Sequence, residues 1–400
     1  MDLAQIDLCD PQLFVPSVPH ELFAELRRTS PVFWHEEEAG AGFWSVMRYH
    51  DLVTVNRDSH MFSSYRGGAL MMDWDEEVLG QQRMMMLNMD PPMHTRYRRL
   101  VNKGFTPRMV HELQDRVVER TRHLVSEARD KGEFDFVTDI AAELPLQVIA
   151  ELMGVPQDDR HKVFDWSNRM VGSNDPEFLE APELAQAAAI ELFMYADALT
   201  LERKANPHED LVSILAHAEI DGDQLSQLEI DMFFMLLAVA GNETTRNLLS
   251  HGMLALMENP GERRKLIERP ELLDSAIEEM LRYASPVMHF RRTATKDTKI
   301  GGQQIHEGDK VVFWHISANR DEDVFEDPDR FDVARSPNEH VAFGGGGSHF
   351  CLGANLARLE IRVMFTEILS TLPDLALAGD VQRLCSNFIN GIKHLPVAVA

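Results

Sequence analysis

The chain has 400 residues, 44% hydrophobic and 26% charged, enough material for a large buried core. A formal net charge of −26 argues against a nucleic-acid partner, because phosphate binding needs a concentrated basic surface. The start MDLAQIDLCDPQLF lacks a basic segment followed by an apolar one, and the longest strongly apolar run, Met232–Gly241, falls short of the roughly 20 residues that span a bilayer.

No membrane span is therefore expected. Three separated cysteines, Cys9, Cys351 and Cys385, fit a cytoplasmic protein without a disulfide framework. No Ser/Gly/Pro-rich tract or internal repeat divides the chain, so residues 1–400 are expected to form a single domain.

Near the start, PVFWHEEEAGAGFWSVMRYH reads as two strands around a Gly-containing turn. The segment GGALMMDWDEEVLGQQRMMMLNMD is rich in methionine, an adaptable apolar filler. In DPPMHTRYRRLVNKGFTP, Pro91-Pro92 set a helix start, and His94 and Arg98 share one helix face at i, i+4. The next segment places Val110, Leu113, Val117, Val118, Leu124 and Val125 on one helical stripe, with Gly132 as a stop. LPLQVIAELMGVP is a helix ended by Gly154 and Pro156.

After a short helix and a turn at Asp221-Gly222, one long helix is predicted from about Ser226 to Met257. Ser226 and Glu229 make a capping-box pattern at its start, and Asn259-Pro260 end it. In its middle lies AGNETTRN, Ala240 to Asn247. Glycine there costs about 1 kcal/mol, and threonine hydroxyls bond back to the carbonyl four residues earlier, which loosens a helix. Thr244 would pair with Ala240 in this way, and a local bulge would admit water.

Further on, Glu279 and Arg282 stand at i, i+3 on a helix, and DKVVFWHISANR reads as a strand. The predicted class is mainly α with a small β portion.

The stretch AFGGGGSHFCLG, Ala342 to Gly353, combines four glycines with one cysteine. A lone cysteine is most often a buried structural residue. Here ANLARLEIRVMFTEIL follows as a helix, so Cys351 sits at a helix N-terminus, which favours thiolate. The glycines let the backbone approach a flat object closely. One thiolate without CxxC or HxxxH partners does not complete a zinc site, but it serves as the single protein ligand of a heme iron.

The stretch Phe343 to Arg358, FGGGGSHFCLGANLAR, resembles the heme-thiolate loop of the cytochrome P-450 monooxygenases. Phe343 lies eight rather than seven positions before the cysteine. The extra glycine resembles a bacterial branch that omega-hydroxylates methyl-branched lipids. The resemblance runs from about Phe14 to INGIKHLPV.

It implies a triangular helical prism with small antiparallel sheets, and a heme b (iron protoporphyrin IX) ligated by Cys351. Phe343, Gly353, His94, Arg98, Arg292 and His349 would hold that cofactor, the last four at its propionates. Glu243 and Thr244 match the acid–alcohol pair that delivers protons. Glu279, Arg282 and Arg330 match a buried structural network below the heme. Met86, Leu237, Ala240, Val287, Met288, Phe290 and Phe388 would line the substrate pocket, under the methionine-rich segment as a roof.

The implied reaction inserts one oxygen atom of O2 into an unactivated C–H bond of an apolar substrate. Terminal hydroxylation of a methyl-branched lipid, terpenoid or steroid side chain fits the branch. No GxGxxG follows a strand and no length remains for a flavin domain, so no bound flavin is expected. The implied electron source is a ferredoxin with its NAD(P)H-dependent ferredoxin reductase, docking on a basic patch drawn from Arg99, Lys103, Arg108, Arg358 and Arg362. Alternatives are a biosynthetic hydroxylase of a secondary metabolite, a peroxide-driven heme enzyme and a non-catalytic heme sensor. Neither of the last two needs the Glu243–Thr244 pair.

Overall fold

In the computed structural model, which describes residues 3–399 other than 39, 173, 179–182 and 221, the expected long helix runs from Gln227 to Glu258. Ser226 caps it: its hydroxyl accepts the Glu229 N–H, and the Glu229 carboxylate accepts the Ser226 N–H at 2.7 Å. This helix is apolar almost all round because others surround it. Glu143–Met153, Arg160–Val171, Glu183–Ala205 and Leu273–Ala284 all pack on it.

The helix Pro107–Lys131 starts at Thr106, whose hydroxyl accepts the Met109 N–H, and stops at Gly132 with φ +78°. Its Leu113, Val117, Leu124 and Val125 are buried, and it packs against Ala354–Thr371. Val118 is half-buried, and the side chain of Val110 lies outside the described residues. Asp221 of the expected turn also lies outside them, and the strands Glu219–Ile220 and Asp223–Gln224 pair antiparallel across it.

Among the described residues the small β portion is one five-stranded sheet, one three-stranded sheet and three short pairs. The strand order is Val32–His35, Phe43–Val46, Lys310–Trp314, His289–Ala294, Phe62–Ser63. The sheet is mixed rather than antiparallel throughout: Phe43–Val46 runs parallel to Lys310–Trp314. The two strands expected after Pro31 pair antiparallel, Trp34 opposite Trp44.

One described helix, Glu183–Ala205, is long and apolar enough to cross a membrane by length and composition alone, at mean hydropathy 1.3. Glu191 and Asp197 interrupt it, so it does not show as an unbroken apolar run. Its Ala188, Leu192 and Ala196 are buried, while Ile190, Met194 and Leu201 face outward.

Candidate active site

The glycine run is anchored along its length. Asn56 Nδ2 donates to Gly346 O at 2.9 Å, and Arg57 Nε donates to Gly345 O at 2.6 Å. Gly346 and Gly347 have φ of +93° and +79°, and a Cβ on Gly347 would meet the Asn56 carbonyl oxygen at 3.0 Å. Cys351 closes the turn, its N–H donating to Phe343 O at 3.0 Å. The Arg358 guanidinium lies 4.6 Å over the Phe343 ring. Gly353 is the N-cap of Ala354–Thr371.

The expectation of a standing thiolate needs correction. Burial raises the Cys351 pKa, and this outweighs the opposing effects of the Gly353 and Ala354 N–H groups, Arg98 and Arg358. The loop is arranged to stabilise a thiolate once a cation neutralises it, not to hold one unaided.

Cys351 opens into an interior cavity of about 250 Å³. Phe343, His349 and Gly353 line it beside the cysteine. His94, Arg98 and Arg292 also face it. Met86, Leu237, Ala240, Thr244, Val287 and Phe290 complete the expected lining.

The residues that face the cavity beside the cysteine loop fit a planar cofactor with carboxylate arms. Arg98 has no hydrogen-bond or ion-pair partner among the described residues. Arg292 is tied to Asn56 Oδ1 at 3.2 Å and Arg291 O at 2.7 Å. His94 Nε2 is buried without a partner, and its ring lies 4.4 Å from that of His349. Burial, Arg98 and Arg292 push His94 down to about 4 and hold His349 well below its usual range. Both imidazoles are therefore neutral donors, and the two arginines carry the charge. A cysteine flanked by Gly344 and Gly353, with unpaired donors around one cavity, suits heme, while Gly345, Gly346 and Gly347 pack instead on Val53, Asn56 and Arg57.

Thr244 Oγ1 donates to Ala240 O at 2.8 Å and lines the cavity, as the sequence predicts. The helix stays α-helical through this stretch, so no open bulge forms. Gly241 is needed here for contact: a Cβ would come within 2.7 Å of Ile149 Cδ1. Glu243 is buried but does not line the cavity. It pairs with Arg246, whose Nη1 donates to Asn168 Oδ1 at 2.8 Å. Burial raises the Glu243 pKa, and Arg246 opposes the rise.

Glu279 and Arg282 are both fully buried and bridged at 2.8 Å. Arg330 does not complete their network: its side chain is 60% exposed and turned to Asp332. Arg335 takes that place, its Nε donating to Glu279 at 3.0 Å, and Asn338 adds a bond at 3.1 Å.

Two pocket assignments also change. Met288 belongs to a separate core cluster with Phe14 and Trp314. Phe388 lies behind the wall, its ring 5.7 Å from that of Phe290. Met288 precedes the His289–Ala294 strand, its N–H donating to Phe388 O and its carbonyl accepting from Ile316 N–H, so strand alternation does not set its side; within the strand Phe290 and Arg292 face the cavity and Arg291 does not. Arg291 Nη1 instead donates to Met72 O and Asp73 Oδ1, both at 2.7 Å. Lys310 Nζ joins Asp73 at 2.8 Å and Glu37 at 2.7 Å. The methionine-rich roof is thereby clasped to the sheet.

Sequence reasoning missed Glu360, which lines the cavity from Ala354–Thr371, and His315, which follows the Lys310–Trp314 strand. Glu360 is buried with Oε2 unpartnered, and burial pushes its pKa up to about 8. A glutamate on the inner face of an amphipathic helix, among Leu356, Leu359 and Val363, was the available signal.

The Cytochrome P-450 family model matches residues 18–373. The steroid C26-monooxygenase of Rhodococcus jostii is 46% identical over 98% of this chain and 84% of its own. The methyl-branched lipid omega-hydroxylase of Mycobacterium bovis is 44% identical over 94% and 90%. A solved cytochrome P-450 of Mycobacterium marinum, in complex with pseudoionone, superposes with a TM-score of 0.93 at 40% identity over 98% of both chains. With this match running through the whole cavity and its cysteine loop, the chain belongs to the cytochrome P-450 family and is a heme-thiolate monooxygenase.

Proposed function

We propose that the enzyme hydroxylates the terminal carbon of a methyl-branched lipid, terpenoid or steroid side chain, with heme b as its cofactor. The observation that carries this reading is the wall of Met86, Leu237, Ala240, Val287 and Phe290 facing Cys351, which holds no charged side chain. The relatives' activities on steroid and methyl-branched lipid support it.

When bound, the heme supplies dioxygen activation and C–H oxidation. Cys351 is the iron ligand, and Arg98 and Arg292 neutralise the propionates with His94 and His349 as neutral donors. Thr244, once released from Ala240 O, offers its hydroxyl to a water inside the cavity. Glu243 feeds that site with protons after leaving Arg246, which holds one of its two carboxyl oxygens. The apolar wall excludes other water and sets the substrate's methyl end towards the cysteine side.

We further propose that the protein works in the cytoplasm as one catalytic domain, and that a ferredoxin with its NAD(P)H-dependent reductase supplies the electrons. Most of the expected basic patch is already engaged. Arg358 is bidentate to Glu278, Arg362 pairs with Asp274, Arg108 with Glu112, and Lys103 donates to Glu219 O. Arg108 and Arg362 keep exposed side chains and belong to helices that pack together, so docking rests on them. Reversing both charges should slow ferredoxin-dependent reduction and flatten its salt dependence; unchanged rates would remove the patch.

The first experiment is the difference spectrum of the reduced protein with carbon monoxide. A Soret band of the thiolate type that is lost in Cys351→Ala supports the ligand assignment. Substrate-induced spectral shifts across branched fatty acids, terpenoids and sterols then identify the substrate; binding of none of these classes would sink the proposal.

A further inference from the structure

His315 stands immediately after the Lys310–Trp314 strand and is 3% exposed. It lines the same cavity as Cys351 and Arg292. Its ring is wedged between Phe313, with centroids 5.4 Å apart, and Phe290, at 5.8 Å, both edge-on. Arg292 lies on the same phenylalanine, its guanidinium 5.3 Å from the Phe313 ring. The two strands pair so that Phe313 is opposite Phe290 and Val311 opposite Arg292, and His315 and Arg292 both lie against the Phe313 ring.

Despite this confinement, His315 Nδ1 is buried with no hydrogen-bond partner, and no described residue bonds to the ring. Phe290 and Phe313 flank the imidazole edge-on, while Nδ1 is left unsatisfied. A buried polar group without a protein partner is stabilised when a group that fills the adjoining cavity supplies one. Burial and Arg292 push its pKa down to about 3, so the imidazole is neutral and has one N–H to donate.

We propose that His315 is a further heme-binding residue, donating its N–H to the carboxylate of a propionate next to Arg292. The proposal rests on the heme-thiolate reading. A neutral donor there adds a directional bond without adding to the charge of Arg98 and Arg292.

The test uses the holoenzyme with His315→Leu and His315→Gln, each challenged with excess apomyoglobin while heme loss is followed by absorbance. The same proteins are reconstituted with heme dimethyl ester, whose carboxylates are blocked. With native heme, His315→Leu should lose the cofactor roughly tenfold faster than the parent, the scale of one hydrogen bond to a charged group, and His315→Gln less. With the ester the three proteins should lose it at one rate.

Equal loss of native heme from all three overturns the proposal. So does a leucine penalty of the same size with the ester, which would assign His315 to packing. Should His315→Leu fail to fold, the resonance Raman propionate-bending band of the parent and His315→Gln decides. That band should shift between them, and an unshifted band is a negative result. A parent protein without the thiolate-type carbon monoxide band would overturn the cofactor assignment itself, a failure distinct from these.

Discussion

Glu243 gives its carboxylate to Arg246, one helical turn further on, and Arg246 is in turn held by Asn168 of the helix Arg160–Val171. The acid assigned to proton delivery is thus stored in an ion pair outside the cavity. Removing Arg246 removes the charge that lowers the Glu243 pKa, so that pKa rises further. In Arg246→Ala, any limb of the pH–rate profile that needs ionised Glu243 should move to higher pH by about one unit or more. Glu243→Gln should erase that limb and lower turnover by about 10²-fold. A profile unchanged in both variants would exclude Glu243 from proton delivery.

Thr244→Ala deletes the hydroxyl that lines the cavity and bonds to Ala240 O. Substrate binding spectra should stay near those of the parent. Product formed per NAD(P)H consumed should fall by about an order of magnitude, the lost electrons appearing as reduced oxygen species. The check is parallel measurement of cofactor consumption, hydrogen peroxide and product, and full coupling in the variant would contradict the assignment.

The exchange of Arg330 for Arg335 in the Glu279 network separates two otherwise similar substitutions. Arg335→Ala leaves part of a buried carboxylate unpaired and should cost about 1–3 kcal/mol of stability. Arg330→Ala removes a 60%-exposed side chain and should stay within roughly 0.5 kcal/mol. Chemical denaturation of the two variants reads the difference directly.

Glu360 should make stability fall as pH rises. Its pKa goes from the usual 4.5 to about 8 on burial, with no charge partner contributing. Between those values the folded protein keeps a proton that the unfolded chain has lost, so the stabilising proton is fully in place below about 4.5 and is lost through about 8. Glu360→Gln should therefore match the parent in melting temperature near the lower limit and exceed it increasingly towards the upper. Parallel melting curves across that window would refute the assignment.

Phe290→Ala opens the cavity wall, whereas Phe388→Ala removes a ring behind it. Truncating the wall should weaken binding of a compact terpenoid by about tenfold or more through lost apolar contact. Truncating Phe388 should leave the spectral affinity within about twofold and act on stability instead. Titrations with one ligand on both variants compare them.

Local signals in the sequence were sufficient wherever a residue acts through its immediate neighbours. The Ser226–Glu229 cap, the Gly132 and Gly154 stops and the Thr244–Ala240 bond all follow from spacings of a few residues. Long-range choices were not legible in that way. Met288 turns away from the cavity because it precedes the strand and its backbone is bonded to Phe388 and Ile316, and Arg330 and Arg335 compete for one carboxylate through loop geometry that no periodicity encodes. Burial reversed the expectation of a ready thiolate at Cys351, and it also holds His94 and His349 neutral, because desolvation depends on the whole packed interior.

The strand His289–Ala294 places three duties on consecutive residues: Phe290 on the cavity wall, Arg291 on the clasp to Met72 and Asp73, and Arg292 beside the cofactor cradle. Substrate range and cofactor retention are therefore not independent traits in this protein. A change of backbone path that widens the wall at Phe290 also moves the guanidiniums on either face. Variation in substrate range should accumulate on the long helix, at Leu237 and Ala240, rather than on this strand.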